Sequence, residues 1–132
     1  MVMLLPLLLA AAAPAADPLV GTWVNPAGSV RIRVAACGDE PGLCGTVIAA
    51  NDKARDDAAR GGTDRLIGTR LFRGLRQQRD GGYAGTVFVP DLNSEVDGML
   101  HLDGRNVLVA EGCLFAGFGC QQQRWTRAPG PR

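Results

Sequence analysis

Val30-Arg31-Ile32-Arg33-Val34 is the stretch on which the fold turns. Side chains along a β-strand point alternately to opposite faces, so Val30, Ile32 and Val34 share one face and Arg31 and Arg33 share the other. A helix would spread the same residues around its whole circumference. The segment is therefore a half-buried strand with its arginines in water. Upstream, Gly21 to Val24 opens the first strand. Downstream, Cys37 and Cys44 flank the turn-rich Gly38-Asp39-Glu40-Pro41-Gly42-Leu43, and Gly45 to Ala50 returns as a partner strand, making a hairpin whose tip the cysteines hold.

The same pattern of short strands and Gly, Pro, Asp and Asn clusters continues along the chain. Arg70 to Gln77 and Tyr83 to Val89 form a hairpin around Arg79-Asp80-Gly81-Gly82. Val96, Gly98, Leu100 and Leu102 alternate with Glu95, Asp97, Met99 and His101. After Asp103-Gly104 come Asn106 to Glu111 and then Gln121 to Thr126. Helical periodicity is weak throughout, and Asn51 to Thr69 reads as a lid or a floppy loop. About eight strands suit an antiparallel sheet closed into an up-and-down barrel, with a two-sheet sandwich as the alternative.

The chain has 132 residues, enough for one domain. Residues 1–16 are almost wholly apolar and end in small residues, the pattern of a signal peptide cleaved after Ala15 or Ala16, with Ala15 favoured by the small residue at Ala13. The run is shorter than the roughly 20 residues of a spanning helix. It lacks the Lys or Arg that usually precedes such a core. The domain is then residues 17–132, periplasmic or secreted, with no integral membrane segment in its mature form. Its 14 basic and 13 acidic residues are interspersed, so no basic face recruits nucleic acid.

Export makes the four cysteines disulfide partners. Three pairings are possible. Each of Cys37/Cys44 and Cys113/Cys120 brackets a turn, and the local pairing is adopted here. Each short loop closed in this way is worth about 2.5 kcal/mol on a chain-entropy argument. Zinc is the rival reading, but the short C-x-x-C spacing is missing and His101 is the chain's one histidine.

Gly21-Thr22-Trp23 on the first strand and Trp125-Thr126-Arg127 on the last resemble the calycin pattern, in which a Gly-x-Trp is packed by an Arg or Lys from the end of the barrel. The resemblance implies that Arg127, with Arg124 as second candidate, closes the barrel over Trp23. A longer resemblance covers nearly all of residues 17–132. Its pieces are Asp17-Pro18-x-x-Gly21-x-Trp23, the arginine strand leading to Cys37, Leu43-Cys44-Gly45-x-Val47, Asp64, Leu71 with Gly74-Leu75, Gly85-x-Val87-Phe88-x-Pro90 and Trp125-x-Arg127. On these motifs the chain resembles the bacterial DUF2147 family, which implies an exported lipocalin-like barrel. It departs from the family pattern after Gly85, where Val87-Phe88-Val89-Pro90 stands in place of Ile-Tyr-Asp-Pro. The Asn-Pro that commonly follows the family's Asp is also missing after Asp64, and the Cys113/Cys120 pair looks like a local addition.

No catalytic constellation is legible. With one histidine and oxidised cysteines, neither a serine nor a cysteine nucleophile finds a base. His101 has outward parity. Asp56, Asp57, Asp64 and Asp91 offer paired carboxylates in principle, yet they stand beside Arg55, Arg60 and Arg65 and read as surface charges. None of the 18 glycines belongs to a phosphate-binding loop, and no cofactor is expected. Three functions are carried forward: a small-ligand-binding or scaffold barrel of the cell envelope, an interaction or inhibitor module acting on an exported protein, and, least favoured, an enzyme. The candidate ligand-contacting residues are Asp64, Arg70 and Tyr83.

Overall fold

The alternation of apolar and charged residues in Val30–Ala36 becomes, in three dimensions, a strand with Val30, Ile32 and Val34 buried and Arg31 and Arg33 exposed. The computed structural model describes residues 3–6, 17–113 and 119–129. Its strands are β1 (Gly21–Val24), β2 (Val30–Ala36), β3 (Leu43–Ala50), β4 (Arg70–Gln77), β5 (Tyr83–Val89), β6 (Ser94–Leu102), β7 (Val107–Cys113) and β8 (Cys120–Arg127). Each pairs antiparallel with the next, and β8 returns to β1 through Trp23↔Arg127 and Val24↔Thr126. The sheet is therefore a closed eight-stranded barrel, and the sandwich alternative falls.

β6 shows why the sequence closes in this way. Val96, Gly98 and Leu100 are buried while Asp97, Met99 and His101 are exposed, so one face supplies the interior and the other meets water. Both disulfides are local, Cys37–Cys44 joining β2 to β3 and Cys113–Cys120 joining β7 to β8. They sit at opposite ends of the barrel.

The connection over residues 51–69 corrects the reading of a lid or loop, because Asp52–Arg60 forms a helix, α1. The Asn51 side chain caps it by accepting from the Ala54 N–H at 2.9 Å. Lys53 and Asp57 pair at 2.8 Å one turn apart, and Arg55 pairs with Asp52. Only Ala58 is buried, with Ala54 packed on the core. A contact face of two alanines is too small to raise an apolar period, which is why the helix is faint in the sequence. The α1 C-terminus docks on the 3-10 turn Pro90–Leu92. The Thr63 hydroxyl donates to the Pro90 carbonyl at 2.8 Å, and a Cβ at Gly61 would lie 1.9 Å from the Asp91 carbonyl oxygen.

In the apolar N-terminal stretch, Met3, Leu4 and Leu5 are exposed. The expected cleavage point at Ala15 or Ala16 lies outside the described residues. No helix among the described residues is long and apolar enough to cross a membrane.

Candidate functional site

The two ends of the barrel differ. One carries residues 17–20 and the connections 37–42, 78–82 and 103–106. Here the interior is filled: Leu19, Trp23, Ile32, Leu75, Tyr83 and Leu108 are each at most 2 % exposed. The Trp23 indole N–H donates to the Leu19 carbonyl at 3.0 Å, and Arg127 stacks over the Trp23 ring at 4.3 Å from its centroid. The Arg127 guanidinium also donates to the carbonyls of Arg105, Val20 and Pro18. Arg124 instead pairs with Asp103 at 2.7 Å. Gly21 has φ +144°, and a Cβ there would lie 2.5 Å from Arg127 Nη1, so the glycine of the Gly-x-Trp motif makes room for the cation.

The other end carries α1 and the 3-10 turn, and among the described residues its interior is less completely filled. A cavity of about 220 Å³ is walled by Leu71, Phe72, Val87, Val96, Ala110 and Trp125, with Glu111, Gln121 and Gln123 at its polar edge. A second space of about 210 Å³ shares Leu71 and Trp125 with the first and extends beneath α1, where Asn25, Ser29, Asp57 and Asp91 line it. Trp125 stands at the boundary, packed edge-on against Phe72 with ring centroids 5.9 Å apart. It is 3 % exposed, and its indole Nε1 is buried with no hydrogen-bond partner among the described residues. Buried donors are paired in the great majority of cases, so this one is distinctive.

The three residues expected to contact a ligand are not brought together, and none of them lines either cavity. Asp64 is exposed in the connection between α1 and β4. Arg70 lies on the outer wall, donating to Asp39 at 2.9 Å and to the Cys37 carbonyl at 3.0 Å, so it ties the first cysteine turn to β4. Its hydrogen bond holds the Asp39 carboxyl below the usual carboxylate range. Tyr83 is buried at the filled end and donates to Asp17 Oδ1 at 2.5 Å, pinning the segment before β1 to the interior. Burial first, and then this bond, raises the phenol above its ordinary value.

The other chemical candidates are accounted for by their surroundings. Asp57 is paired with Lys53, which lowers its carboxyl, and Asp56 and His101 are exposed. Glu40 lies beside Cys37 and Cys44, and Glu111 beside Cys113 and Cys120. In both groups the sulfurs are bonded to each other, so they offer no thiolate to a metal. The residues that sequence reasoning missed are Gln121 and Gln123. They share strand parity with Trp125, so they face inward, and two inward glutamines at one end of a strand are the signal of an interior left open to water.

The fold and site together define a class: a small antiparallel barrel, filled at one end and holding an apolar chamber at the other. The chain belongs to the DUF2147 family, described as uncharacterized protein conserved in bacteria, whose model matches residues 21–127. No curated protein and no solved structure matches it.

Proposed function

We propose that this protein is a small-ligand-binding barrel of the bacterial cell envelope, exported with loss of its leader. The observation that carries the binding reading is the apolar chamber beside α1, walled by Phe72, Val87 and Trp125. Closed barrels of eight strands have room either for packed side chains or for one small ligand. This one does the first at the Trp23 end and the second at the Trp125 end. The lining is apolar with a few polar groups at the edge, the usual composition of a small-molecule site. Export rests on the apolar leader and on the two disulfides, which persist in oxidising compartments.

Ethylbenzene, an uncharged apolar probe, is expected to raise the melting temperature in a concentration-dependent way, because a ligand that binds only the folded state stabilises it. Ala110→Phe, which fills the chamber, should retain the fold and abolish the rise. A wild-type melt indifferent to the probe overturns the binding reading. Mass analysis of the protein recovered from the periplasm should find Ala16 or Asp17 as its first residue, and a retained Met1 overturns export.

A further inference from the structure

The barrel closes over only part of the length of β8. We propose that the strand edge left beyond β1 binds an extended peptide, which pairs with residues 120–124 and turns one uncharged apolar side chain into the adjoining cavity. The pocket for that side chain rests on the ligand-binding reading; the edge stands apart from it.

The edge follows from the ladders. β8 pairs with β7 without a shift from Thr126 to Cys120, but with β1 only at Arg127 and Thr126. β1 ends there because the Asn25 N–H donates to the Val30 carbonyl at 3.1 Å and the chain turns into β2. Main-chain groups of successive residues in an antiparallel strand turn to alternate sides. The Ala128 N–H donates to the Thr22 carbonyl at 2.8 Å on the β1 side, and the Arg127 N–H donates to the Asn106 carbonyl at 2.9 Å on the β7 side. Counting back in twos from Ala128, Arg124 and Gln122 present their N–H and C=O to the β1 side, where nothing among the described residues pairs with them. Residues 120–124 are all exposed. Proteins usually protect such an edge with a proline, a bulge or a charge. This stretch has neither of the first two, and its one charge, Arg124, is paired with Asp103.

The cavities decide the occupant. In an added strand, the residue opposite Gln123 shares its inward face. Gln123 lines both cavities together with Leu71, Val89, Pro90 and Trp125, and Asp57 and Asp91 line the second. An apolar side chain suits that space, and a carboxylate does not. An open edge beside a side-chain pocket supplies the two halves of recognition by strand addition, main-chain bonds for affinity and the pocket for specificity. A second copy pairing edge to edge would align five residues a side, far short of the roughly 20 to 30 of a stable interface.

The probe is acetyl-Thr-Thr-Phe-Thr-Thr-amide, with two controls: Asp in place of Phe, and N-methylation of the two Thr that flank Phe, whose amides face the edge when Phe lies opposite Gln123. Binding is read by calorimetry and by the protein's amide signals in nitrogen-15 NMR. The parent peptide should bind and move the Gln122 and Arg124 amide signals downfield. Each blocked amide should weaken it about fivefold, the worth of one net hydrogen bond, and Asp should weaken it by about tenfold or more. Gln122→Pro removes an edge-facing N–H and spares the β7 ladder, so it should weaken the parent about fivefold. If Gln122→Pro does not fold, the N-methylated peptide on the wild type decides. Three results would overturn this inference and leave the ligand-binding reading intact: equal affinity of the parent and either control, no binding of the parent while ethylbenzene raises the melting temperature, or a concentration-dependent dimer that Gln122→Pro disperses. If neither the peptide nor ethylbenzene binds, both readings fall.

Discussion

Arg127 does two things at the filled end: its guanidinium lies 4.3 Å from the Trp23 ring centroid, and its nitrogens donate to three backbone carbonyls. The first contact couples it to Trp23 and the second does not, so a mutant cycle separates them. Trp23→Ala should cost about 3 to 5 kcal/mol, the usual loss for a large buried aromatic. Arg127→Ala should cost less, because the indole keeps its bond to Leu19 and most of its packing. In denaturant melts the double mutant should be less destabilised than the sum of the singles by about 0.5 to 2 kcal/mol, the range of a cation–π contact. Simple additivity would mean that Arg127 acts through its carbonyl partners alone. Sequence showed that Trp23 and Arg127 stand at opposite ends of the chain; their meeting depends on β8 pairing with β1, through a ladder with only two aligned residue pairs.

At the scale of elements, α1 is the part of the fold that pattern reading turned into a loop, and its docking is tertiary. Gly61 follows its last turn with φ −79°, an ordinary helical value. If only helix propensity mattered, Gly61→Ala would stabilise by a few tenths to about 1 kcal/mol. The structure gives the opposite sign, since the added Cβ would lie 1.9 Å from the Asp91 carbonyl oxygen and force α1 off the 3-10 turn. A loss of about 1 to 3 kcal/mol is expected, as for overpacking elsewhere. Urea melts of the variant read the sign directly, and stabilisation would show that α1 does not rest on that turn. Because Ala54 and Asp57 of α1 line the second cavity, undocking should also weaken ethylbenzene binding.

For the whole molecule, the bond from Tyr83 to Asp17 ties the segment before β1 to the interior and makes stability depend on pH. The folded state raises the phenol above 10, its ordinary value. Above about pH 10 the unfolded chain releases this proton while the folded protein keeps it, so the folded state binds more protons and stability falls as pH rises. Below that range the contribution is complete. The slope should approach about 1.4 kcal/mol per pH unit before the folded phenol ionises. Tyr83→Phe should flatten this alkaline limb. Tyr83 is the only tyrosine, so phenolate absorption follows it without overlap, and a titration of the native protein near pH 10 would contradict the bond.

What could be read from residues alone was whatever depends on neighbours in sequence. The two-residue period of Val30 to Val34, the Asp-Gly turn at Asp80-Gly81 and the cysteines spaced across single turns each decide structure within a hairpin, and together they specified strands, an all-β barrel and both disulfides. Local signals were weaker for α1, whose cap at Asn51 was present but whose apolar face is two alanines. The chamber was out of reach for a different reason. Parity says that Ala110, Gln121, Gln123 and Trp125 point inward, but not whether the side chains meeting them from β4, β5 and β6 fill the space between. That is a sum of volumes across strands distant in sequence, and among the described residues it comes out full around Trp23 and leaves space beside Trp125. Which buried indole finds a carbonyl follows from the same assembly: Trp23 reaches Leu19, and Trp125 has no partner among the described residues.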